Sequence, residues 1–447
     1  MTLVHENVVP LVAGADLPVP LVTGGTVPYA NLDHAASAPC LAPVRAGVDQ
    51  LLPWYASVHR GAGFASQVCT RAYERARDTV RDFVGATPGS TVVFTRNTTD
   101  ALNLLARSLP SGTTVFRFDS DHHAALLPWG RHTVRRLPLP VTPDEAVRQL
   151  RAGLASCPPG PRLVVLTGAS NVTGELWPVA ELAAVAADHG ARTVLDAAQL
   201  APHGPVRAVE LGVDWVALSG HKLYAPFGAG ALIGAPDWLA DAEPYLFGGG
   251  AVSRVDGSCA GPEATWLAPP ERHEAGSPNV VGAHALALAC EAITACGWSA
   301  IRSHEQPLTD DLRAGLAGIP GVRPLSMWDS DHPRVGVVSF AVDGIEPGLL
   351  AAALSAEHGI GVRDGAFCAH MGTRTLLAAA GADADGAVRA SVGLGSRAEH
   401  VERLVAAVAR LVRSGPRWDY RKVDGRWTPS PDPRRHPDLR AGDPDVG

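Results

Sequence analysis

The chain has 447 residues, of which 46% are hydrophobic and 19% charged, and its formal net charge is −7. This composition indicates a globular protein of two or three domains, and its mild acidity argues against a nucleic-acid or anionic-membrane partner. Neither a membrane-spanning apolar run nor a secretion signal is recognisable, and seven scattered cysteines without a C-x-x-C pair favour a reducing cytoplasm over a disulfide framework.

The first 285 residues alternate between extended and helical patterns. Residues 1–28 are rich in proline and valine, and we expect them to form an arm that packs on the smaller domain described below. Beyond them, strands are predicted at 91–95, 113–118, 162–170, 191–199 and 213–220, and helices at 71–84, 97–109 and 179–190. Alternating strands and helices, with several purely apolar strands, predict an α/β fold whose mostly parallel sheet is covered on both faces.

The pattern changes after about residue 285. Helical segments at 283–297, 346–359 and 399–415 are interspersed with strand-like segments at 334–344, 360–367 and 387–395. We therefore predict a large ligand-binding domain over 29–285 and a smaller α+β domain over 286–415. Residues 416–447 are rich in Pro, Asp and Arg, which predicts a poorly structured tail.

Polar residues stand where the predicted strands end, the edge at which open parallel sheets bind ligands. Lys222 follows one strand, Asp196 ends its neighbour, SNVTG (170–174) ends the strand before, and RNTTDALN (96–103) opens a helix. A reactive lysine, a buried carboxylate and a helix N-terminus are the parts that hold pyridoxal phosphate through its aldehyde, ring nitrogen and phosphate. Further candidates are Ser219 and His221 as phosphate donors and His122 or His123 as the ring-stacking group.

Each of these features also has an ordinary structural explanation. A strand-end aspartate often caps a helix, and a strand-end lysine often extends into water. The alternatives remain open at the level of single residues, and only the combination favours a cofactor site.

Ten segments add a wider pattern: YANLDHAASAP, VHRGAGFASQVCTRAYERAR, TRNTTDALNLLA, DHHAALLPW, SNVTGELWPV, LDAAQLAPH, SGHKLYAPFGAGAL, HEAGSPNVVG, GVRDGAFCAH and VRASVGLG. Over about residues 29–412 they resemble, in order, class V aminotransferase-fold enzymes, and specifically group II cysteine desulfurases and selenocysteine lyases. The resemblance implies a type I pyridoxal-phosphate transferase fold, a small amino-acid substrate and a homodimer whose active sites are completed across the interface. It is also compatible with a sulfur-acceptor protein as a partner.

The resemblance further implies roles for individual residues. Lys222 would carry pyridoxal 5'-phosphate as a Schiff base and then move protons, and His122 would assist the proton transfer. The remaining cofactor contacts would come from His122, Asn171, Asp196 and Gln199 at the ring, from Thr98, Thr99, Ser219 and His221 at the phosphate, and from Ser277 at the phosphate of the partner subunit. The substrate would be bound by Asn171 and Arg389 at its carboxylate and by His59, Arg60 and Arg363 at the entrance of the site. No metal is implied.

Cys368 decides which activity the resemblance favours. It lies five residues after Arg363, where group II desulfurases have their nucleophilic cysteine, and would take the substrate sulfur as a persulfide while alanine is released. Otherwise Cys368 is an ordinary small buried hydrophobe, or, less favoured because no further ligand is spaced nearby, a metal ligand with His370.

Departures from the family pattern widen the choice of substrate. Phe367 stands where the family has a polar residue or histidine, and its apolar side chain disfavours a neighbouring thiolate, while Ser277 replaces the usual threonine. These changes favour a specialised enzyme that acts on L-cysteine or on a modified cysteine, the latter in a biosynthetic pathway. The main alternative is an aminotransferase, epimerase or β-lyase of the same fold, which needs Lys222 and Asp196 but not Cys368. A non-catalytic dimeric scaffold is a second alternative, and the lack of G-x-G-x-x-G after the first strand argues against a dinucleotide-binding enzyme.

Overall fold

The computed structural model describes residues 9–258 and 261–439. The helices are α1 (Ala42–Leu51), α2 (Phe64–Phe83), α3 (Thr98–Ser108), α4 (His123–Leu126), α5 (Pro143–Ala155), α6 (Val179–Asp188), α7 (Ala208–Leu211), α8 (Asp237–Asp241), α9 (Val280–Cys296), α10 (Trp298–Ala317), α11 (Pro347–His358), α12 (His370–Ala379) and α13 (Ala398–Ser414). The strands are β1 (Pro18–Pro20), β2 (Thr26–Pro28), β3 (Ala30–Asn31), β4 (Thr91–Thr95), β5 (Thr114–Phe118), β6 (Thr133–Leu137), β7 (Arg162–Thr167), β8 (Arg192–Asp196), β9 (Trp215–Ser219), β10 (Gly230–Gly234), β11 (Val252–Ser258), β12 (Gly261–Trp266), β13 (Val322–Pro324), β14 (Val337–Val342), β15 (Ile360–Gly361), β16 (Arg363–Gly365), β17 (Ala387–Ser391), β18 (Tyr420–Val423) and β19 (Arg426–Pro429).

A seven-stranded sheet in the order β4-β10-β9-β8-β7-β5-β6 forms the larger part of the protein. Strands β6, β5, β7, β8 and β9 are parallel, whereas β10 is antiparallel to both β9 and β4. All five residues of β9 are buried, as expected for a strand whose sheet is covered by helices on both faces. The predicted α/β fold with a mostly parallel sheet is confirmed.

The direction of β10 follows from the short connection that precedes it. Only ten residues separate Ser219 from Gly230, and a parallel strand would need a crossover of a dozen residues or more. The chain therefore turns back beside β9, and the loop that carries Lys222 stays at the carboxyl edge of the parallel strands.

A second, antiparallel sheet has the order β13-β14-β17-β16 and lies in the C-terminal part of the chain. Helices α10, α11 and α13 pack against it around a separate apolar cluster that includes Leu312, Phe340, Leu354, Leu404 and Val408. Along α13 the buried residues recur every three or four positions, the spacing of an amphipathic helix that covers a sheet.

The segment 29–38 joins the two sheets. Strand β3 pairs with β15 of the C-terminal part, and the backbone N–H of Ala35 donates to Ser391 Oγ at 2.9 Å. Further along, the backbone N–H of Ala38 donates to the carbonyl of His221, next to Lys222, at 2.8 Å. The segment thus touches both structural units within ten residues.

The N-terminal residues from Val9 onward pack on the C-terminal part. Strands β1 and β2 form a hairpin, and the backbone N–H of Val22 donates to the carbonyl of Ala356 in α11 at 2.9 Å. A Cβ at Gly359 would lie 2.5 Å from Val27, so glycine is needed where this hairpin meets the end of α11. Residues 1–8 of the predicted arm lie outside the described residues.

Helix α9 is the most apolar long helix and packs against α1 and α2. It is followed by α10 at a bend of 84°. Within residues 9–258 and 261–439, no single helix combines the length and the apolar character needed to cross a membrane, although this bent pair passes the same test when taken together.

The prediction of a poorly structured tail is wrong for the residues described, because β18 and β19 form a hairpin. Glu357, at the end of α11 and 6% exposed, explains why. Its carboxylate accepts hydrogen bonds from Arg410 Nη2 at 2.7 Å, from the backbone N–H of Arg417 and Trp418 at 3.0 and 3.3 Å, and from Tyr420 Oη at 3.2 Å. One buried acid therefore fixes the start of the tail, while residues 440–447 lie outside the described part.

We expect Glu357→Ala to lower the free energy of unfolding by about 2–4 kcal/mol, because Arg410 and several donors of the tail lose their buried acceptor. Urea denaturation followed by circular dichroism measures this. The matched control is Glu346→Ala, which removes an exposed carboxylate 2.8 Å from Lys422 of the same hairpin and should change stability little. Equal effects of the two substitutions would contradict the role given to Glu357.

Candidate active site

A cavity of about 370 Å³ lies at the carboxyl ends of β5, β7, β8 and β9. The structure brings to it most of the residues that the sequence proposed, namely Thr98, Thr99, His122, Asn171, Asp196, Gln199, Ser219, His221, Lys222, Arg363, Cys368 and Arg389. These residues come from segments up to 291 positions apart, from Thr98 to Arg389. The carboxyl ends of the parallel strands supply one side of the cavity, and the antiparallel C-terminal sheet supplies Arg363 and Arg389 on β16 and β17.

Lys222 enters the cavity from the turn after β9. A Cβ at Gly220 would lie 2.6 Å from the carbonyl oxygen of Ala229, so this turn requires glycine. Burial lowers the pKa of Lys222 to about 8, and the neighbouring carboxylate of Asp196 opposes that shift. A lysine with this pKa supplies an appreciable fraction of neutral amine near pH 7, the form that reacts with an aldehyde. The whole chain contains just one other lysine, Lys422.

Asp196 and Gln199 form one wall of the cavity. Burial raises the pKa of Asp196, whose Oδ1 accepts a hydrogen bond from the backbone N–H of Ala198 at 3.0 Å. Gln199 donates through Nε2 to the carbonyl of Ala35 at 2.8 Å, while its buried Oε1 has no partner among the residues described. A carboxylate and an unused amide oxygen are suited to a ring N–H and a ring O–H, respectively.

His122 is neutral in this environment. Its Nδ1 accepts a hydrogen bond from the backbone N–H of Ala124 at 3.1 Å, which caps the short helix α4. Burial, reinforced by the charge of Lys222, lowers the pKa of His122 to about 3. An uncharged imidazole that lines the cavity can pack on an electron-poor aromatic ring.

Hydroxyl groups cluster at the N-terminus of α3. The backbone N–H of Thr98 donates to Ser219 Oγ at 2.8 Å, and the hydroxyls of the two residues are also 2.8 Å apart. Thr99 follows in the first turn, and His221 Nδ1 lies 2.8 Å from Ser37 Oγ. Hydroxyls at a helix N-terminus, where the dipole favours negative charge, form a suitable phosphate site.

Arg389 carries the main positive charge opposite Lys222. It is 4% exposed, its Nη2 lies 3.3 Å from Asp33 Oδ1, and its Nη1 donates to the carbonyl of Asn171 at 3.0 Å. Burial lowers its pKa, and the charge of Asp33 opposes the shift. Its buried Nε has no partner in the described part of the chain, so the guanidinium retains a donor for a further carboxylate.

Asp33 is a residue that the sequence analysis missed. Asp33 lies in LDHAAS, part of the segment YANLDHAASAP that resembles the cysteine desulfurases, and this resemblance was the available signal.

Cys368 is exposed and lies at the cavity, so it is not a buried hydrophobe. Phe367 and Cys368 have φ values of 52° and 56°, a left-handed backbone that residues other than glycine rarely adopt. Asn171 Nδ2 donates to the carbonyl of Phe367 at 2.8 Å, and the backbone N–H of His123 donates to that of Cys368 at 2.7 Å. These two contacts hold the turn that presents the thiol.

Asn171 was predicted to meet the substrate or the ring, but here its Nδ2 is bound to Phe367. His370 contacts His123 edge to face, with ring centroids 4.6 Å apart. Within the ranges described, no group of three or more His, Cys, Asp or Glu side chains is arranged to bind a metal.

Three of the proposed site residues lie outside this cavity. His59 Nε2 is 2.8 Å from Glu74 Oε1, Arg60 lies against Gly250, and Ser277 is exposed in the loop before α9. Within one chain they therefore contact neither Lys222 nor Cys368, and their roles stay predictions that require a partner subunit.

The chain was compared with known proteins. Residues 30–404 match the family described as aminotransferase class-V. The chain is 36% identical to a probable cysteine desulfurase of Halobacterium salinarum, covering 84% of this chain and 90% of that protein, and 36% identical to the cysteine desulfurase of Dickeya dadantii, covering 89% and 96%.

Among solved structures, a cysteine desulfurase from Thermococcus onnurineus NA1 is similar, with a TM-score of 0.76 and 32% identity over 86% of this chain and 95% of that one. The cysteine desulfurase CsdA from Escherichia coli has a TM-score of 0.73 and 31% identity, with the same coverage.

We expect acetylation of Lys222 in the cofactor-free protein to rise with pH through a midpoint near 8, because the neutral amine is the reactive form. Asp196→Asn should move the midpoint to lower pH, since the carboxylate raises the pKa of Lys222. Competitive labelling with acetic anhydride and peptide mass spectrometry measures this, and Lys422 in the same digest corrects for loss of reagent. A midpoint near that of an ordinary lysine, about 10.4, would contradict the burial argument.

Proposed function

The chain belongs to the class V aminotransferase family, which depends on pyridoxal phosphate, and from this membership we propose that it is a cysteine desulfurase that releases alanine from L-cysteine or a modified cysteine. The observation that carries the proposal is that an exposed cysteine, Cys368, and a buried lysine, Lys222, line one cavity with an under-satisfied guanidinium, Arg389. An amino acid bound through its carboxylate at Arg389 would lie between the lysine and the thiol.

The residues at the cavity fit the cofactor. Asp196 would hold the ring nitrogen, the unpartnered Oε1 of Gln199 would accept from the ring hydroxyl, and His122 would cover one ring face. The phosphate would be held by Thr98, Thr99, Ser219 and His221. Pyridoxal phosphate held by these residues would draw electrons from the α-carbon of a substrate joined to it through its amine, and would so weaken the bonds around that carbon.

Lys222 is also suited to proton transfer. With its pKa lowered to about 8, its amine can take up a proton at one step and return it at another near neutral pH. In the proposed reaction Nζ accepts the proton that leaves the α-carbon and later returns one to the product carbon. Arg389 orients the substrate during both transfers, and Asn171 holds the turn that carries Cys368.

The sulfur step belongs to Cys368. Its thiolate attacks the sulfur of the substrate, a sulfur–sulfur bond forms, and the carbon–sulfur bond breaks with its electron pair remaining on carbon. For L-cysteine the balance is cysteine plus enzyme thiol giving alanine plus enzyme persulfide. A second thiol, from a sulfur-acceptor protein or a small reductant, then removes the outer sulfur.

The proposal includes a homodimer. Trp54 and Phe64 are exposed and contact each other with centroids 5.9 Å apart, and Leu246 and Phe247 are exposed on a neighbouring loop that Arg60 reaches at Gly250. Such a group of exposed apolar side chains is typical of an interface. A partner subunit on this surface would cover the region of His59, Arg60 and Ser277. These three residues would then lie near the cavity of the partner subunit.

We also propose a cytoplasmic location. The cysteines among the described residues are all free thiols, and persulfide chemistry needs thiols that stay reduced.

Cys368→Ala should reduce sulfide release from L-cysteine by about two orders of magnitude or more, because the sulfur loses its acceptor. The bound cofactor should keep its absorption band, since Cys368 makes none of the proposed cofactor contacts. Sulfide and alanine are measured with a thiol reductant present. Cys296→Ala, a half-buried cysteine outside the cavity, is the matched control.

Undiminished alanine release by Cys368→Ala would overturn the persulfide step. Turnover by the wild-type enzyme without any alanine would instead favour an aminotransferase, epimerase or β-lyase of the same fold.

Phe247→Asp should weaken self-association at least about tenfold, because a buried unpaired carboxylate is unfavourable in an apolar interface. Sedimentation velocity at several concentrations measures this. Val423→Asp, an exposed apolar residue on the C-terminal hairpin, is the control and should leave association unchanged. A wild-type protein that sediments as a monomer throughout would contradict the dimer.

A further inference from the structure

Phe367 connects the guanidinium of Arg389 to the turn that carries the thiol. Its ring centroid lies 5.1 Å from the guanidinium carbon of Arg389, and the side chain is buried. Its backbone continues directly into Cys368. Phe367 therefore links Arg389, which is proposed to hold the substrate carboxylate, to Cys368, which is proposed to attack the substrate sulfur.

The backbone of Phe367 is fixed from several directions. Besides the contacts from Asn171 and His123 to the two carbonyls, the backbone N–H of Ala369 donates to the carbonyl of Ala366 at 2.8 Å and closes the turn. Left-handed residues other than glycine are strained and persist only where their surroundings hold them. The position of the thiol thus depends on what holds Phe367.

Arg389 and Asn171 complete a closed set of contacts with Phe367. Arg389 Nη1 donates to the backbone carbonyl of Asn171, Asn171 Nδ2 donates to the backbone carbonyl of Phe367, and the ring of Phe367 returns to Arg389. A movement of any one of these three residues would therefore alter its contacts with the other two. The conformation of the thiol turn and the orientation of the guanidinium are therefore linked.

The aromatic ring leaves Arg389 able to bind a carboxylate. The ring lies 5.1 Å from the guanidinium carbon, whereas the hydrogen-bond donors are the guanidinium nitrogens and lie in the guanidinium plane. The Nε donor is buried and unpartnered within the part of the chain described. A carboxylate in the plane can therefore bind through this donor while the ring stays in place.

We propose that Phe367 is a positioning residue that sets the place of Cys368 relative to a carboxylate held by Arg389. This inference rests on the proposed function and deepens it, because it assigns the alignment of substrate sulfur and thiol to one side chain. An aliphatic side chain of similar size fills the same space but does not stack on a cation. The role is therefore specific to an aromatic residue.

The test uses the holoenzyme with F367L and F367Y. Leucine is unbranched at Cβ, as phenylalanine is, so it is no worse suited to a left-handed backbone, and tyrosine restores the ring. L-Alanine, the proposed product, is titrated against the absorption of the bound cofactor. Alkylation of Cys368 by iodoacetamide is followed by mass spectrometry with and without saturating L-alanine.

F367L should bind L-alanine about threefold to tenfold more weakly than wild type, the range expected for loss of one buried cation–π contact, and F367Y should bind it as wild type does. L-Alanine should change the alkylation rate of Cys368 in wild type and F367Y, and clearly less in F367L. A residue that merely filled space would alter thermal stability without moving either value. F367M, which also lacks the ring, replaces F367L if that variant does not fold.

Two outcomes overturn the inference in distinguishable ways. If wild type and F367L respond equally to L-alanine in both measurements, Phe367 has no positioning role, and the proposed function is unaffected. If L-alanine changes neither the spectrum nor the alkylation rate in wild type, the carboxylate site at Arg389 is overturned together with the role of Phe367.

Discussion

The burial of two cations in one small cavity is the constraint on which the site depends. Lys222 and Arg389 both lose hydration there, and the charge of Arg389 further lowers the pKa of Lys222. Two carboxylates compensate, Asp196 for the lysine and Asp33 for the guanidinium. Removal of Asp33 would leave the buried guanidinium without its counter-charge, and removal of Asp196 would favour the neutral amine of Lys222. Each buried cation therefore requires a carboxylate nearby, and the carboxyl edge of the sheet is where these residues come together.

The parts of this arrangement that could be predicted from sequence are those set by local patterns. Lys222, Asp196 and Asn171 each follow an apolar strand, and strands of a parallel sheet end at a common edge, so their proximity followed from periodicity alone. The ion pair of Asp33 with Arg389 joins residues 356 positions apart, and no local pattern indicates it. The hairpin near the C-terminus was missed for the same reason, since the acid that fixes it belongs to α11. Helix α2 begins at Phe64 instead of 71 because its first turns carry small and polar residues that hide the helical period.

The thiol turn shows a different limit of sequence analysis. The resemblance to the desulfurases indicated Cys368, but two consecutive left-handed residues without glycine depend on Asn171, in the loop after β7, and on His123, at the start of α4. Phe367 was interpreted from its apolar character as unfavourable to a thiolate. In the structure its ring lies over the guanidinium of Arg389, so the same residue that departs from the family pattern contacts a charged group.

The segment 29–38 has a mechanical consequence. It is bonded to β15 and Ser391 on one side, to Gln199 and His221 on the other, and its Asp33 holds Arg389 between them. A hinge that rotated the C-terminal unit away from the central sheet would have to break these bonds together. The bonds of this one segment therefore hold the two units together as one frame around the cavity.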